Sequence, residues 1–197
     1  MLPDPGNRTP APEPLRLVQA FVNTVDIENG IEELTDADAL RDVLVRIGAL
    51  PRAASPLADE DVAKAVELRE ALRRLLLVNA GEEADSEALA VLERASASAR
   101  LSIRFERDSR STLVPSAGGL DGAVGRILAV VYTSMADGTW RRLKACPRDV
   151  CGWIFYDRSR NSSSRWCSMS VCGNRTKLRR YRRGGARSSL TPAKSVR

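Results

Sequence analysis

Residues 146–183 read CPRDVCGWIFYDRSRNSSSRWCSMSVCGNRTKLRRYRR, and this stretch decides the fold. It holds all four cysteines of the chain, spaced Cys-x4-Cys, fifteen intervening residues, then Cys-x4-Cys. Two close pairs separated by a short hairpin let Cys146, Cys151, Cys167 and Cys172 converge tetrahedrally on one zinc ion. Gly152 suits the backbone of a knuckle, residues 153–156 read as a strand, and residues 157–164 are rich in turn-forming Asp, Asn and Ser. Arg165 and Trp166 then return the chain to Cys167. A helix is expected from near Ser168 with Cys172 in its first turn, where the helix dipole favours a thiolate. Trp153, Phe155, Trp166, Leu178 and Tyr181 are placed to cover one side of the site, and Asp149 and Asp157 read as surface or turn residues. So small a unit has little core, and one structural zinc is expected to supply most of its stability, on the order of 10–16 kcal/mol as in zinc-finger peptides. Buried free thiols or disulfides are the competing reading. Disulfides fit poorly with a chain that shows no export signal. Four thiolates also leave no open position for a catalytic water.

Directly after the last cysteine, Arg175, Lys177, Arg179, Arg180, Arg182 and Arg183 place six positive charges in nine residues. On a helix, Arg175, Arg179 and Arg182 fall along one stripe and Val171, Asn174, Leu178 and Tyr181 along another, so one face docks while the other meets phosphate. Arg158, Arg160 and Arg165 extend the basic surface. Like charges this close destabilise an isolated helix unless something neutralises them, which favours a polyanion over a merely solvated face. Phosphate contacts position a protein without reading sequence, so base readout needs one or more of these arginines in the major groove. Asn174 is a candidate adenine contact or, alternatively, a partner for local backbone. Trp153, Tyr156 and Trp166 either stack on single-stranded bases or pack over the metal site.

The charge is divided along the chain. Residues 141–197 carry 16 Lys/Arg against Asp149 and Asp157, a net +14, and residues 1–140 carry 15 against 23 acids, a net −8. An acidic body joined to a basic end marks a folded domain attached to a polyanion-binding element. The chain has no histidine, which removes histidine ligands, a histidine general base and every Ser-His or Cys-His pair. The body holds neither a glycine-rich phosphate loop nor a cluster of convergent acids, and no enzyme is expected. No apolar run reaches the roughly 18 residues that span a bilayer, and the first fourteen residues carry prolines, Asp4 and Glu13 where a secretory signal needs an apolar core. A cytoplasmic, nucleoid-associated protein with no membrane partner is the expectation.

Residues 1–14 read as a flexible leader. A short helix follows over 15–24, with Leu17, Val18, Phe21 and Val22 on one side. Thr35 or Asp36 caps a second helix carrying Leu40, Val43, Leu44 and Ile47, and Gly48 with Pro51 ends it. The strongest helix runs over about 59–80, where Ala65, Leu68, Leu72, Leu75 and Leu76 repeat at helical spacing. Asp85 caps another. At Leu101, Ile103 and Phe105 the period changes to strand spacing, and residues 111–115 return as the partner of a hairpin. A last helix follows Gly118 and Gly119, with Leu120, Val124, Ile127, Leu128, Val131 and Met135 as its buried stripe. The fold class is therefore α+β: a mostly helical N-terminal domain with a small β-hairpin, then a C-terminal four-cysteine zinc finger built of knuckle, hairpin and basic helix.

The motif Cys172-Gly173-Asn174-Arg175, with the CGW after the second cysteine, the YDRSRN turn, the RWCSM segment and the basic ending, closely resembles the CGNR zinc finger. Upstream, Leu17-Val18 through Asp26 resembles the start of the ABATE domain, and Glu67-Leu68-Arg69-Glu70-Ala71-Leu72-Arg73 resembles its central helix. The resemblance implies an ABATE-like domain over 15–140, a CGNR-type finger over 141–183 and a flexible basic tail over 184–197, in a protein similar to stress-responsive bacterial transcription regulators. The expected function is a zinc-dependent regulator that binds double-stranded DNA. Its body is expected to sense a small-molecule effector or to form a homodimer. The alternatives are an adapter that uses the finger to bind a protein such as RNA polymerase, and an RNA-binding protein.

Overall fold

The computed structural model describes residues 9–176. In chain order the elements are α1 (Leu15–Val22), β1 (Val25–Asp26), β2 (Ile31–Glu32), α2 (Ala37–Arg46), α3 (Asp59–Val78), α4 (Ser86–Ala99), β3 (Leu101–Phe105), β4 (Ser111–Pro115), α5 (Gly119–Ala136), β5 (Leu143–Ala145) and β6 (Ile154–Tyr156). The strands form three antiparallel pairs, β1 with β2, β3 with β4 and β5 with β6. This is the α+β class that the sequence periodicities indicate.

The helix starts follow their capping chemistry. The Asp36 carboxylate accepts from the Ala39 N–H at 2.8 Å, and Asp85 accepts from Glu87 and Ala88. At α3 the Asp61 carboxylate accepts from the Ala58 N–H at 3.0 Å, with Asp59 and Glu60 adding negative charge at the positive end of the helix dipole. The core joins one face from each of four helices: Leu15, Val18 and Phe21 of α1, Leu40 and Leu44 of α2, Leu68, Leu72 and Leu76 of α3, and Leu120, Ile127 and Val131 of α5. Helix α4 packs on α3 and α5 through small residues. At its end a Cβ on Gly125 would stand 2.6 Å from the Pro115 Cβ and 2.9 Å from that of Ala99, so the α5–hairpin contact needs glycine there.

Four features differ from the expectations. Part of the expected leader is packed: Ala11 is buried and its N–H donates to the Gln19 side chain at 2.7 Å. Met135, placed in the buried stripe of α5, is exposed because after Val131 the stripe continues through Ser134, three residues on, and Met135 falls outside it. The two-residue ladder β1–β2 carries too short an alternation to be seen in sequence. Finally, the hairpin of the finger is not the one between the cysteine pairs. Strand β6 pairs with β5, which precedes Cys146, so the ladder closes across the first knuckle rather than leading to Cys167. The knuckle turn brings its own flanks together, and the Cys146 N–H donates to the Trp153 carbonyl at 2.9 Å.

Leu143, Ala145 and Ile154 of the β5–β6 hairpin belong to the same core as the helices, so the finger does not stand as a separate bead. Among the described residues no helix is long and apolar enough to cross a membrane.

Candidate metal centre

The first knuckle holds Cys146 and Cys151, and residues 157–166 carry the chain round to Cys167. Cys172 is presented by a π-helical turn, Met169–Gly173, capped by the Ser168 hydroxyl, which accepts from the Val171 N–H. The expected helix start is thus a widened turn. In it the Ser168 carbonyl accepts from both the Cys172 and Gly173 N–H groups, at 2.9 and 3.0 Å. A Cβ at Gly173 would lie 2.7 Å from the Met169 sulfur, so any larger residue there would have to push the half-exposed Met169 side chain aside.

All four cysteines are buried, and their Sγ atoms lie within 4.8 Å of one another. Cys151 and Cys167 are 3.6 Å apart, Cys167 and Cys172 3.5 Å. A disulfide needs about 2.05 Å. A tetrahedron with zinc–sulfur bonds of about 2.3 Å has edges of roughly 3.8 Å. The sulfurs therefore fit a shared zinc ion and not a pair of covalent bridges. Trp153 and Phe155 are buried against the cluster, with Trp166 and Val171 partly covering it.

Electrostatics point the same way. The thiols of Cys151 and Cys167 donate to Cys146 and hold its pKa far below the ordinary thiol range. Hydrogen bonding to Cys146, aided by burial and its negative charge, pushes Cys151 and Cys167 up. Thiolates this close repel one another, which opposes ionising all four together. A divalent cation removes that conflict. Zinc held by Cys146, Cys151, Cys167 and Cys172 would cross-link the two cysteine pairs, a structural role in which four thiolates leave no open position for a substrate.

The surrounding residues fasten the site to the body. Gly152 adopts φ +56°, and a Cβ there would come within 2.8 Å of Ile27 and 3.2 Å of Arg73. Arg73, buried on α3, donates to the Gly152 carbonyl at 2.5 Å, to the Val22 carbonyl at 2.8 Å and to Glu70 at 2.9 Å. Its neighbour Arg69 grips Glu32 with both terminal nitrogens, at 2.6 and 2.7 Å, and also donates to Glu70. Burial would raise the Glu70 carboxyl, but the two arginines outweigh it and hold its pKa below the usual range. Asn23 binds Ile154 as a strand neighbour would: its amide donates to the Ile154 carbonyl at 2.9 Å and its carbonyl accepts the Ile154 N–H at 2.8 Å.

Asp157, expected as a surface or turn residue, is at a turn but buried, and is paired with the buried Lys144 at 2.8 Å. Lys144 also donates to the Ser162 and Ser164 carbonyls, and Asp157 accepts from the Ser159 and Ser164 N–H groups. Together they set the course of the loop 157–164. Burial works to raise the Asp157 pKa, yet the Lys144 and Ser159 contacts dominate and keep it well below the carboxylate range.

The sequence-selected basic residues fare differently. Arg160 and Asn174 are exposed. Arg158 lies over the Tyr156 ring and donates to the Pro10 carbonyl at 2.8 Å. The exposed Arg165 is 3.7 Å from Glu82. Arg175 donates to Glu28 at 2.5 Å. Glu28 in turn accepts from both terminal nitrogens of Arg148 at 3.2 Å, and Arg148 reaches the Cys172 sulfur at 3.7 Å. Lys177, Arg179, Arg180, Arg182 and Arg183, with Leu178 and Tyr181, lie outside the described residues, as does the expected basic helix beyond Thr176. Sequence reasoning missed Arg73, Lys144, Asp157 and Glu28. A signal existed for Arg73: Ala65, Leu68, Arg69, Leu72, Arg73 and Leu76 share one helical stripe, so two arginines stand where apolar residues are expected.

Fold and site together define a zinc-binding protein in which a four-cysteine finger is built onto a helical body. Residues 142–184 match the model of the CGNR zinc finger, and residues 15–138 match that of ABATE, described as "Putative stress-induced transcription regulator". The chain belongs to the ABATE family and carries a CGNR zinc finger after the ABATE domain. No curated protein matches it in sequence.

Proposed function

We propose that this protein is a DNA-binding transcriptional regulator whose finger delivers residues 175–183 to duplex DNA. The observation that carries the reading is the position of Cys172. Buried as the fourth ligand, it holds the start of a segment with six cations in nine residues immediately beside a rigid centre. A net +14 over residues 141–197 supports a polyanionic partner through counterion release. The bases would be read by arginines of that segment, and Arg160 and Asn174 are exposed and free to add contacts.

The single-strand RNA reading loses one of its three aromatic platforms, because Trp153 is buried in the metal cluster. For a small-molecule effector, the body offers an open cleft of about 380 Å³ lined by Glu13, Arg16, Leu17, Ala20, Arg46 and Ile47.

Selection from a random duplex library with the zinc-loaded full-length protein tests the proposal. A sequence motif should be enriched, binding should weaken steeply with added salt, and Arg179→Ala with Arg180→Ala should abolish retention. Failure to enrich any sequence, with the double variant still active in its cellular role, overturns it in favour of the adapter.

A further inference from the structure

The β3–β4 hairpin presents apolar side chains to solvent where folded proteins cover them. Phe105 is 80% exposed and Ile103 61% exposed, and both lie on one face of β3 with Leu101. On that face Leu113 stands across from Ile103 and Pro115 across from Leu101. Strand β4 packs on α5, which leaves β3 as the outer strand, and no other described strand pairs with it.

The main chain of β3 is also open. The Glu106 N–H donates to the Arg110 carbonyl and the Arg100 carbonyl accepts from the Ser116 N–H, so the even-numbered residues turn their backbone groups toward β4. By the alternation of an antiparallel ladder, Leu101, Ile103 and Phe105 turn theirs outward. An exposed edge of this kind, with apolar side chains beside it, is a template for another strand.

We propose that this edge pairs with β3 of a second copy of the chain, in antiparallel two-fold register centred on Ile103. Charge chooses the register. Centred on Ile103, the ladder uses every outward backbone group of the strand and sets Leu101 of one copy opposite Phe105 of the other. Arg100 of one copy, the left-handed residue just before β3, and Glu106 of the other, just after it, are then brought to the same end of the paired strands, and this holds at both ends. Centred on Arg104, the same strand would set two arginines against each other, which disfavours that alternative. The result is one four-stranded sheet with a continuous apolar face, and a self-complementary surface is what a two-fold interface requires. The dimer would carry two fingers related by two-fold symmetry, the arrangement that matches a palindromic site. It does not rest on the DNA reading, because oligomeric state is measured without nucleic acid.

Sedimentation velocity of the zinc-loaded full-length protein over a concentration series is the test. A concentration-dependent dimer is expected, and Phe105→Asp, at an exposed position where the monomer's fold is indifferent, should weaken it by a factor on the order of 10–100. Glu106→Arg should weaken it, as should Arg100→Glu, and the two changes combined should restore it. A monomer at every concentration, a dimer indifferent to Phe105→Asp, or a combined swap that fails to restore association overturns the proposal.

Discussion

Replacing Arg73 with alanine should destabilise body and finger together. The guanidinium donates to two main-chain carbonyls, Gly152 beside a zinc ligand and Val22 at the end of α1, and to the Glu70 carboxylate. Arg73 is buried, so neither carbonyl gains bulk water when the side chain is lost. Each orphaned acceptor costs about 1–3 kcal/mol. Glu70 keeps its contact with Arg69 at 2.8 Å and so is left only partly uncompensated. The total is about 3–5 kcal/mol, in the range for breaking a buried ionic network. For a chain of this size that lowers the melting temperature by roughly 6–20 °C. Because Gly152 follows Cys151, zinc should also pass faster to a chromogenic chelator. Thermal unfolding followed by circular dichroism, with chelator kinetics on the same samples, reads both effects. Arg73→Lys should recover little, since an ammonium cannot reach two carbonyls and a carboxylate in the guanidinium's planar geometry. A melting temperature within about 1 °C of the parent, with unchanged zinc release, would refute the claim that body and finger are one cooperative unit.

Three further outcomes follow from named contacts. Asp157→Asn leaves the buried Lys144 without its counter-charge and should cost about 3–5 kcal/mol in urea unfolding. Since the Asp157 pKa is depressed on folding, the parent's advantage is complete above the ordinary carboxylate range and shrinks as pH falls below about 4. A gap between parent and variant that widens in acid would contradict this sign. Gly152→Ala combines a left-handed backbone with a 2.8 Å approach to Ile27, and should cost about 1–3 kcal/mol and accelerate zinc loss; an unchanged melting curve counts against the geometry. Glu28→Gln removes the charge that Arg148 and Arg175 share. If the finger binds DNA, affinity should rise a few-fold at low salt and the salt slope should steepen by about one phosphate contact, measured by fluorescence anisotropy; an unchanged slope would show that Arg175 does not meet phosphate.

Much of the fold was legible because long periodic segments carry their own evidence. The stripe Leu68, Leu72, Leu76 marks α3, and the caps Asp36 and Asp85 mark the starts of α2 and α4. The four cysteines that the fold brings together were legible as a group from residue type and spacing alone. What escaped were contacts between residues distant in sequence. Asn23 to Ile154 and Arg73 to Gly152 cross the junction between helical body and finger, and no local pattern encodes such pairs. The partner strand β5 was hidden because its three residues precede the knuckle and offer no alternation to read. Asp157 looked like a turn residue and is one, but its buried partner Lys144 lies thirteen positions upstream, where a lysine reads as surface. The exposed Phe105 shows the opposite limit: strand spacing revealed β3 but not which of its faces would be covered.

X-ray absorption at the zinc edge of the purified full-length protein, with metal content measured on the same sample, tests most directly whether four thiolates organise this end of the chain. One zinc per chain in a shell of four sulfurs at about 2.3 Å is the predicted result. Substoichiometric metal, or a shell containing nitrogen or oxygen ligands, would contradict it.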